Sequence, residues 1–413
     1  MNFKKFLATT ALAACLPCMF VSPVVAQEEQ KEEKEEGYIF TDIKVLPVTS
    51  VKDQNAAGTC WCYSGLAFFE AELLRMGKPE YDFSEMYIVY NTYMDRAEAT
   101  VRTHGDVSFA QGGSFYDVIY GMKHYGLVPE EFMRPGAMHG DSLSDFTEFS
   151  NVTDPFVEGI TKNRKLQLAP DGTPLWKNAL EGILNAYIGE RPEVFVYEGK
   201  EYTPQTFFES TGLNPDDYVN LTSFTHHPFY DKFVIEVQDN WRWGTAYNLP
   251  IDEFMEVMDY AIDNGYPIAW GSDVSEKGWL RGANMGVVVL PDIEAKNVDK
   301  SNTDMAHWTG LTTVDREKEA QNKPTPQRWV TQEDRQRAYD NYESTDDHGM
   351  MIYGKAKDQI GNEYYIVKNS WGKAGNYDGK WYASKAFVRY KTLNIVVHKD
   401  ALPKHIKKSL GIK

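Results

Sequence analysis

Gln54-Asn55-Ala56-Ala57-Gly58-Thr59-Cys60-Trp61 is a loop of small and polar residues that runs straight into a periodic apolar stretch. The apolar residues Leu66, Phe69, Leu73 and Met76 recur at spacings of three and four, so they mark one buried face of a helix that closes before Gly77. Cys60 therefore falls at a helix N-terminus. A thiol attacks carbonyl carbon as its thiolate, and the positive end of a helix supplies part of the potential that a thiolate needs. A lone cysteine is otherwise more often a small buried core residue. Gln54, six residues earlier, can curl back so that its amide donates beside the Cys60 backbone N–H, giving two donors for an oxyanion.

Working outward from this stretch, further helices are expected over Ser84 to Ala99 and Ser114 to His124, which makes residues 38–128 a mainly helical lobe. Residues 129–265 have short apolar runs, many aromatics and no repeat period, and read as an insertion. Within them Phe254 to Asn264 is helical in pattern, and Tyr266-Pro267-Ile268-Ala269-Trp270 opens a strand. A charged passage from Asp315 to Asp347 reads as surface loop with some helix. Gly349 to Gly354 and Glu363 to Asn369 are strand-like runs separated by a turn containing Asp358, Gly361 and Asn362, an antiparallel pair in a β-rich lobe of residues 266–413. The fold class is α+β, with two lobes.

Two further motifs stand far along the chain from Cys60. Asp347-His348-Gly349-Met350-Met351 places a histidine at the mouth of the first strand of that pair, 288 residues after the thiol. Asn369-Ser370-Trp371-Gly372 begins 21 residues later. His307, the rival base, has no such tetrapeptide after it. The run Ala57-Gly58-Thr59-Cys60-Trp61, the His348 stretch and Asn-Ser-Trp-Gly together resemble the papain superfamily of cysteine peptidases. The one departure is Ala57, where that pattern has its first Cys.

The resemblance implies a papain-like fold and a site in which His348 takes the Cys60 proton to form an ion pair and later protonates the leaving amine. It also implies that Asn369 orients the imidazole, Trp371 shields their hydrogen bond and Gln54 completes the oxyanion hole. The large insertion and the short stretch before Gln54 resemble the bleomycin hydrolase and aminopeptidase C branch. So do Phe83-Ser84-Glu85-Met86, Gln111-Gly112-Gly113-Ser114-Phe115, Tyr125-Gly126-Leu127-Val128-Pro129 and Val396-Val397-His398-Lys399. That branch implies a homohexamer, peptide substrates that lie close over Gly112 and Gly113, and a C-terminal arm whose carboxylate reads the substrate amine. The chain stops at Lys413, short of the arm expected for that device. Aminopeptidase action on short peptides is the leading expectation, open-cleft endopeptidase action the second, and a catalytically silent peptide-binding protein on the same fold a third. No cofactor is expected.

Composition bounds the remaining possibilities. Of four cysteines only Cys60 and Cys62 lie outside the first 26 residues, too few for a disulfide scaffold, and their spacing disfavours a bridge between them. Lys4 and Lys5 precede an apolar run that ends near Ala26, the pattern of a cleaved signal peptide over 1–26, which predicts an exported periplasmic or secreted protein. Lipid attachment at Cys15 is the alternative. Pro17, Pro23 and the short span argue against a stable membrane helix. Residues 27–37 read as a charged linker, with six glutamates and two lysines between Glu28 and Glu36, ahead of a peptidase domain over 38–413. The formal charge of −17 becomes −19 once Lys4 and Lys5 are removed, and no basic stripe offers a footprint for nucleic acid. His226 and His227 are expected to face opposite ways on a strand, so no metal site is expected there.

Overall fold

The computed structural model describes residues 37–296 and 303–413. The expected signal and nearly all of the charged linker lie outside them. After a first strand, β1 (Phe40–Val45), come three helices: α1 (Cys60–Arg75), α2 (Glu85–Arg102) and α3 (Phe115–Tyr125). Ser84 caps α2 by accepting from the Tyr87 N–H, and Ser114 and Asp117 form a reciprocal capping box on α3. These two caps explain why the helices begin where the sequence pattern places them.

Then follow α4 (Thr147–Thr161), α5 (Leu175–Tyr187), a hairpin of β2 (Phe195–Tyr197) and β3 (Lys200–Tyr202), and α6 (Pro204–Thr211). The strands β4 (Tyr218–Thr222), β5 (Lys232–Val234) and β6 (Thr245–Asn248) precede α7 (Ile251–Asp263) and β7 (Ile268–Ser272). Next are β8 (Val287–Val288), α8 (Thr303–Gly310), α9 (Thr313–Asn322) and α10 (Gln332–Asp340). The chain finishes with β9 (His348–Asp358), β10 (Glu363–Lys368), β11 (Lys380–Ser384), α11 (Lys385–Lys391), β12 (Thr392–His398) and α12 (Lys404–Ser409).

One large sheet runs β5-β6-β4-β12-β7-β9-β10-β11-β8, with β1 also paired to β9. The expected antiparallel pair is β9 with β10, joined through the turn at Asp358. β9 is long enough to serve two neighbours along one edge. Its first half pairs with β7, with His348 opposite Ser272, and its second half pairs with β1.

Residues 129–265 do not stand apart as an inserted body. They lay α4 and α5 against α2, and they add β4, β5 and β6 to the large sheet beside β12. The short apolar runs of this segment are thus edge strands and packing helices of the common core, which periodicity alone does not distinguish from loops.

The helix α1 is buried on every side from Trp61 to Leu73, not on one face. It lies against β9 and β7 on one side and α2 and α3 on the other, so even Glu70 and Glu72 are covered. Met76, expected on the buried face, is the exposed C-cap residue. Buried acids need partners. Glu70 accepts from Thr49 Oγ1 at 2.6 Å and from the Phe83 N–H at 3.0 Å, and Lys52 bridges Glu85, Glu130 and Asp82.

Candidate active site

The two ends of the sheet–helix contact bring the sequence-predicted residues together. Cys60 opens α1 and His348 opens β9, and both line one cleft, open to solvent, with Gly113, Asp239 and Asp346. Gly349 lets the strand come this close. A Cβ there would lie 2.7 Å from Ser64 Oγ and 3.2 Å from Trp61 Cα, so a larger residue would push β9 away from α1.

The imidazole of His348 is buried, and its Nε2–H donates to Asn369 Oδ1 at 2.7 Å. Nδ1 is therefore the ring nitrogen left to exchange a proton. Trp371 stacks on the imidazole with centroids 4.8 Å apart and planes 28° apart, and is itself packed edge-on against Trp381. The Asn369–Trp371 segment thus fixes the ring's azimuth and covers its hydrogen bond.

Gln54 is also buried. Ser370 Oγ donates to its Oε1 at 2.5 Å, and the Gln54 backbone N–H donates to the Ser370 carbonyl at 2.9 Å. One hydrogen of the side-chain amide goes to the Ala57 carbonyl at 2.7 Å, which leaves the other free. Ser370, a member of the Asn-Ser-Trp-Gly motif with no role expected from the sequence, is therefore what aims Gln54.

Protonation follows burial. Desolvation lifts the Cys60 thiol to about 11, offset in part by the Gly349 and Trp61 backbone N–H groups and reinforced by Asp346 and Asp239. The same desolvation lowers His348 to about 4, although Asn369 and Asp347 pull it upward. Burial thus favours the neutral form of both groups, while the neighbouring hydrogen bonds and the Asp347 charge favour the ion pair. Cys62, by contrast, is fully buried beneath the helix, and burial holds its thiol in the neutral form.

The glycine pair divides. Gly113 lines the cleft, and a Cβ on it would meet the Trp61 ring at 2.8 Å. Gly112 does not line it, because the space over its Cα is filled by the Asp239 carboxylate, whose oxygens would lie 2.0 and 2.4 Å from a Cβ. The group beside Gly112 is thus that carboxylate, whereas Gly113 faces the cleft. The neighbouring Gln111 fastens the loop before the thiol, taking the Gly58 N–H on Oε1 at 2.6 Å and the Trp61 Nε1–H on its carbonyl at 3.0 Å.

Three acids on the cleft wall were not singled out in the sequence. Asp347 is satisfied, accepting from Thr345 Oγ1 at 2.7 Å and from Ser275, and these bonds outweigh its burial and hold it below the usual carboxylate range. Asp239 lies 3.7 Å from the buried Arg96. Asp346 has no hydrogen bond or ion pair among the described residues, and burial, then repulsion from Asp239 and Asp347, raises it to about 7. No residue after Asn394 lines the cleft; the last turn packs Leu410 and Ile412 onto the core instead.

His226 and His227 do not face apart. They lie in the connection between β4 and β5, and both rings turn toward Glu236, because the chain there is a loop rather than a pleated strand.

Residues 300–412 match the model of the Peptidase C1-like family. Aminopeptidase C of Streptococcus thermophilus is 24% identical over 415 aligned residues, covering 91% of this chain and 85% of that protein. Aminopeptidase G of Lactobacillus delbrueckii subsp. lactis is 22% identical over 396, covering 87% and 83%. Among solved structures, PepW from Lactobacillus rhamnosis HN001 superposes with a TM-score of 0.67 at 20% identity, covering 90% of this chain and 84% of that one, so the α+β fold is papain-like in architecture. Over residues 300–412 the chain thus resembles the Peptidase C1-like family, and along most of its length it is similar to aminopeptidases C and G at 22–24% identity.

Proposed function

We propose that the protein is a cysteine peptidase that removes N-terminal residues from short peptides, with Cys60 as nucleophile, His348 as base and acid, Asn369 as its orienting partner and Gln54 in the oxyanion hole. The observation that carries the reading is the convergence of a helix-start thiol with an imidazole whose Nε2–H is committed to Asn369. His348 Nδ1 takes the thiol proton as Cys60 Sγ bonds to the scissile carbonyl carbon. The oxyanion is received by the Cys60 N–H, left without an intrahelical acceptor at the first turn, and by the free hydrogen of Gln54 Nε2. The imidazolium gives its proton to the leaving amine, and water then cleaves the thioester with His348 again as base.

The finer reading, aminopeptidase rather than endopeptidase action, is supported by the unpartnered Asp346 facing Asp239 across the cleft. A substrate ammonium between them would gain a charge-assisted hydrogen bond. It would also cancel the repulsion that both acids exert on the thiolate, so amine binding and nucleophile activation reinforce each other. The names of the relatives agree with this choice.

The test compares one fluorogenic peptide with a free and an acetylated N-terminus. The free form is expected to be cleaved preferentially, and Asp346→Asn to reduce that preference roughly tenfold or more. The sign of the pH effect follows from Asp346, which is protonated below about 7 and charged above it. The kcat/KM for the free peptide should therefore rise through that range and fall again as the substrate amine deprotonates above about 8. Equal cleavage of the acetylated peptide would favour an open-cleft endopeptidase and leave the catalytic residues in place. Export to the periplasm or medium, through the first 26 residues, is proposed from the sequence alone.

A further inference from the structure

Next to the cleft wall, where Ile235 and Val237 line the cleft, the intervening Glu236 is shared by two imidazoles. His226 Nε2 lies 3.2 Å from Glu236 Oε2 and His227 Nε2 lies 3.0 Å from Glu236 Oε1. One ligand atom from each of the three residues falls within 4.8 Å of the other two. Ligands about 2.0–2.1 Å from a tetrahedral zinc ion are themselves roughly 3.3 Å apart, and each imidazole already lies at that distance from one Glu236 oxygen, so a common centre would engage both oxygens of the carboxylate. Only the imidazoles need to close on each other.

The surroundings hold these rings in place. Phe233 stacks on His227 at 4.3 Å with planes 22° apart, and Tyr339 on His226 at 5.4 Å with planes 18° apart. Gln336 reaches His226 Nδ1 with both amide atoms, Nε2 at 3.1 Å and Oε1 at 3.5 Å. The Gln336 Oε1 position is set in turn by the Thr225 N–H at 2.5 Å. The nearer Gln336 Nε2–H donates to Nδ1 and so keeps the His226 proton on Nε2; a metal at Nε2 requires the amide to turn its oxygen to Nδ1 instead.

We propose that His226, His227 and Glu236 form a site for a divalent transition-metal ion of the zinc type, with water as the remaining ligand. Two imidazoles and one carboxylate suit zinc, and they exclude the all-oxygen cages that calcium and magnesium require. Each imidazole binds through an unprotonated Nε2. The proton now shared with Glu236 moves to Nδ1, and at His226 the Gln336 amide turns so that Oε1 replaces Nε2 opposite Nδ1 and accepts it; an imidazolium instead releases its extra proton to water. Ile235 and Val237 flank Glu236 and both line the active-site cleft, so an ion here would brace that wall.

The test uses the full chain without a histidine tag, in a Cys60→Ala background so that the active-site thiol offers no competing ligand. Zinc chloride titrated calorimetrically is expected to bind with one-to-one stoichiometry and to raise the unfolding midpoint. His226→Ala and His227→Ala should each abolish both effects, and Glu236→Gln should weaken binding at least tenfold. Glu236→Gln preserves shape, so it stays informative if a histidine variant fails to fold. Absence of stoichiometric binding, or binding unchanged in Glu236→Gln and His227→Ala, would overturn the site and leave the cluster as a pair of surface His–Glu contacts.

Discussion

At the scale of single residues, the site is a set of side chains each held by a second one. Asn369 holds His348, Ser370 holds Gln54, and Gln111 holds the loop that presents Cys60. Gln54 has a free amide hydrogen that is positioned but bound to nothing at rest, the condition for stabilising a charge that appears only during reaction. Gln54→Ala is expected to lower kcat by about 10²–10³ with little change in KM, measured on an unblocked peptide. An unchanged kcat would remove Gln54 from the oxyanion hole. These catalytic positions were legible in the sequence because each sits in a motif of several residues. Asp346 and Asp239 were not, because an aspartate acquires meaning only when the fold turns it into a cleft, where Asp346 is left without a partner.

At the scale of elements, the proposed catalysis depends on how closely β9 approaches α1. The start of α1 and the start of β9 carry the two reacting groups, and Gly349 is the spacer between them. Gly349→Ala should lower kcat on the order of 10²-fold, since a displacement of about 1 Å at a reacting pair has that effect, while the fold survives a local overpacking. Wild-type kcat in a folded Gly349→Ala protein would show that the approach is not limiting. Helices α1, α2, α3 and α7 and the β9–β10 pair were readable from periodicity and capping residues. The strands β4, β5 and β6 were not, because they are three to five residues long, too brief for alternation to register, and β5 stands at the edge of the sheet. The His226–His227 pair was misjudged for the same reason: period-two alternation was assumed where the chain turns.

At the scale of the whole molecule, one sheet and one buried helix bind together groups that are 288 residues apart in sequence. The nucleophile comes from the first quarter of the chain, the base and its partner from the last, and the wall carrying Asp239 from the segment between. This is why residues 129–265 could be delimited in the sequence but not interpreted: their contribution is to the sheet edge and the cleft wall, and neither has a local signature. Burial in the cleft that results favours the neutral thiol and the neutral imidazole. The measurement that tests this account most directly is turnover of an unblocked fluorogenic peptide under reducing conditions by the wild-type protein and by Cys60→Ala, prepared side by side. The account predicts hydrolysis by the wild type and none above the uncatalysed rate by the variant; hydrolysis that survives in folded Cys60→Ala would contradict it.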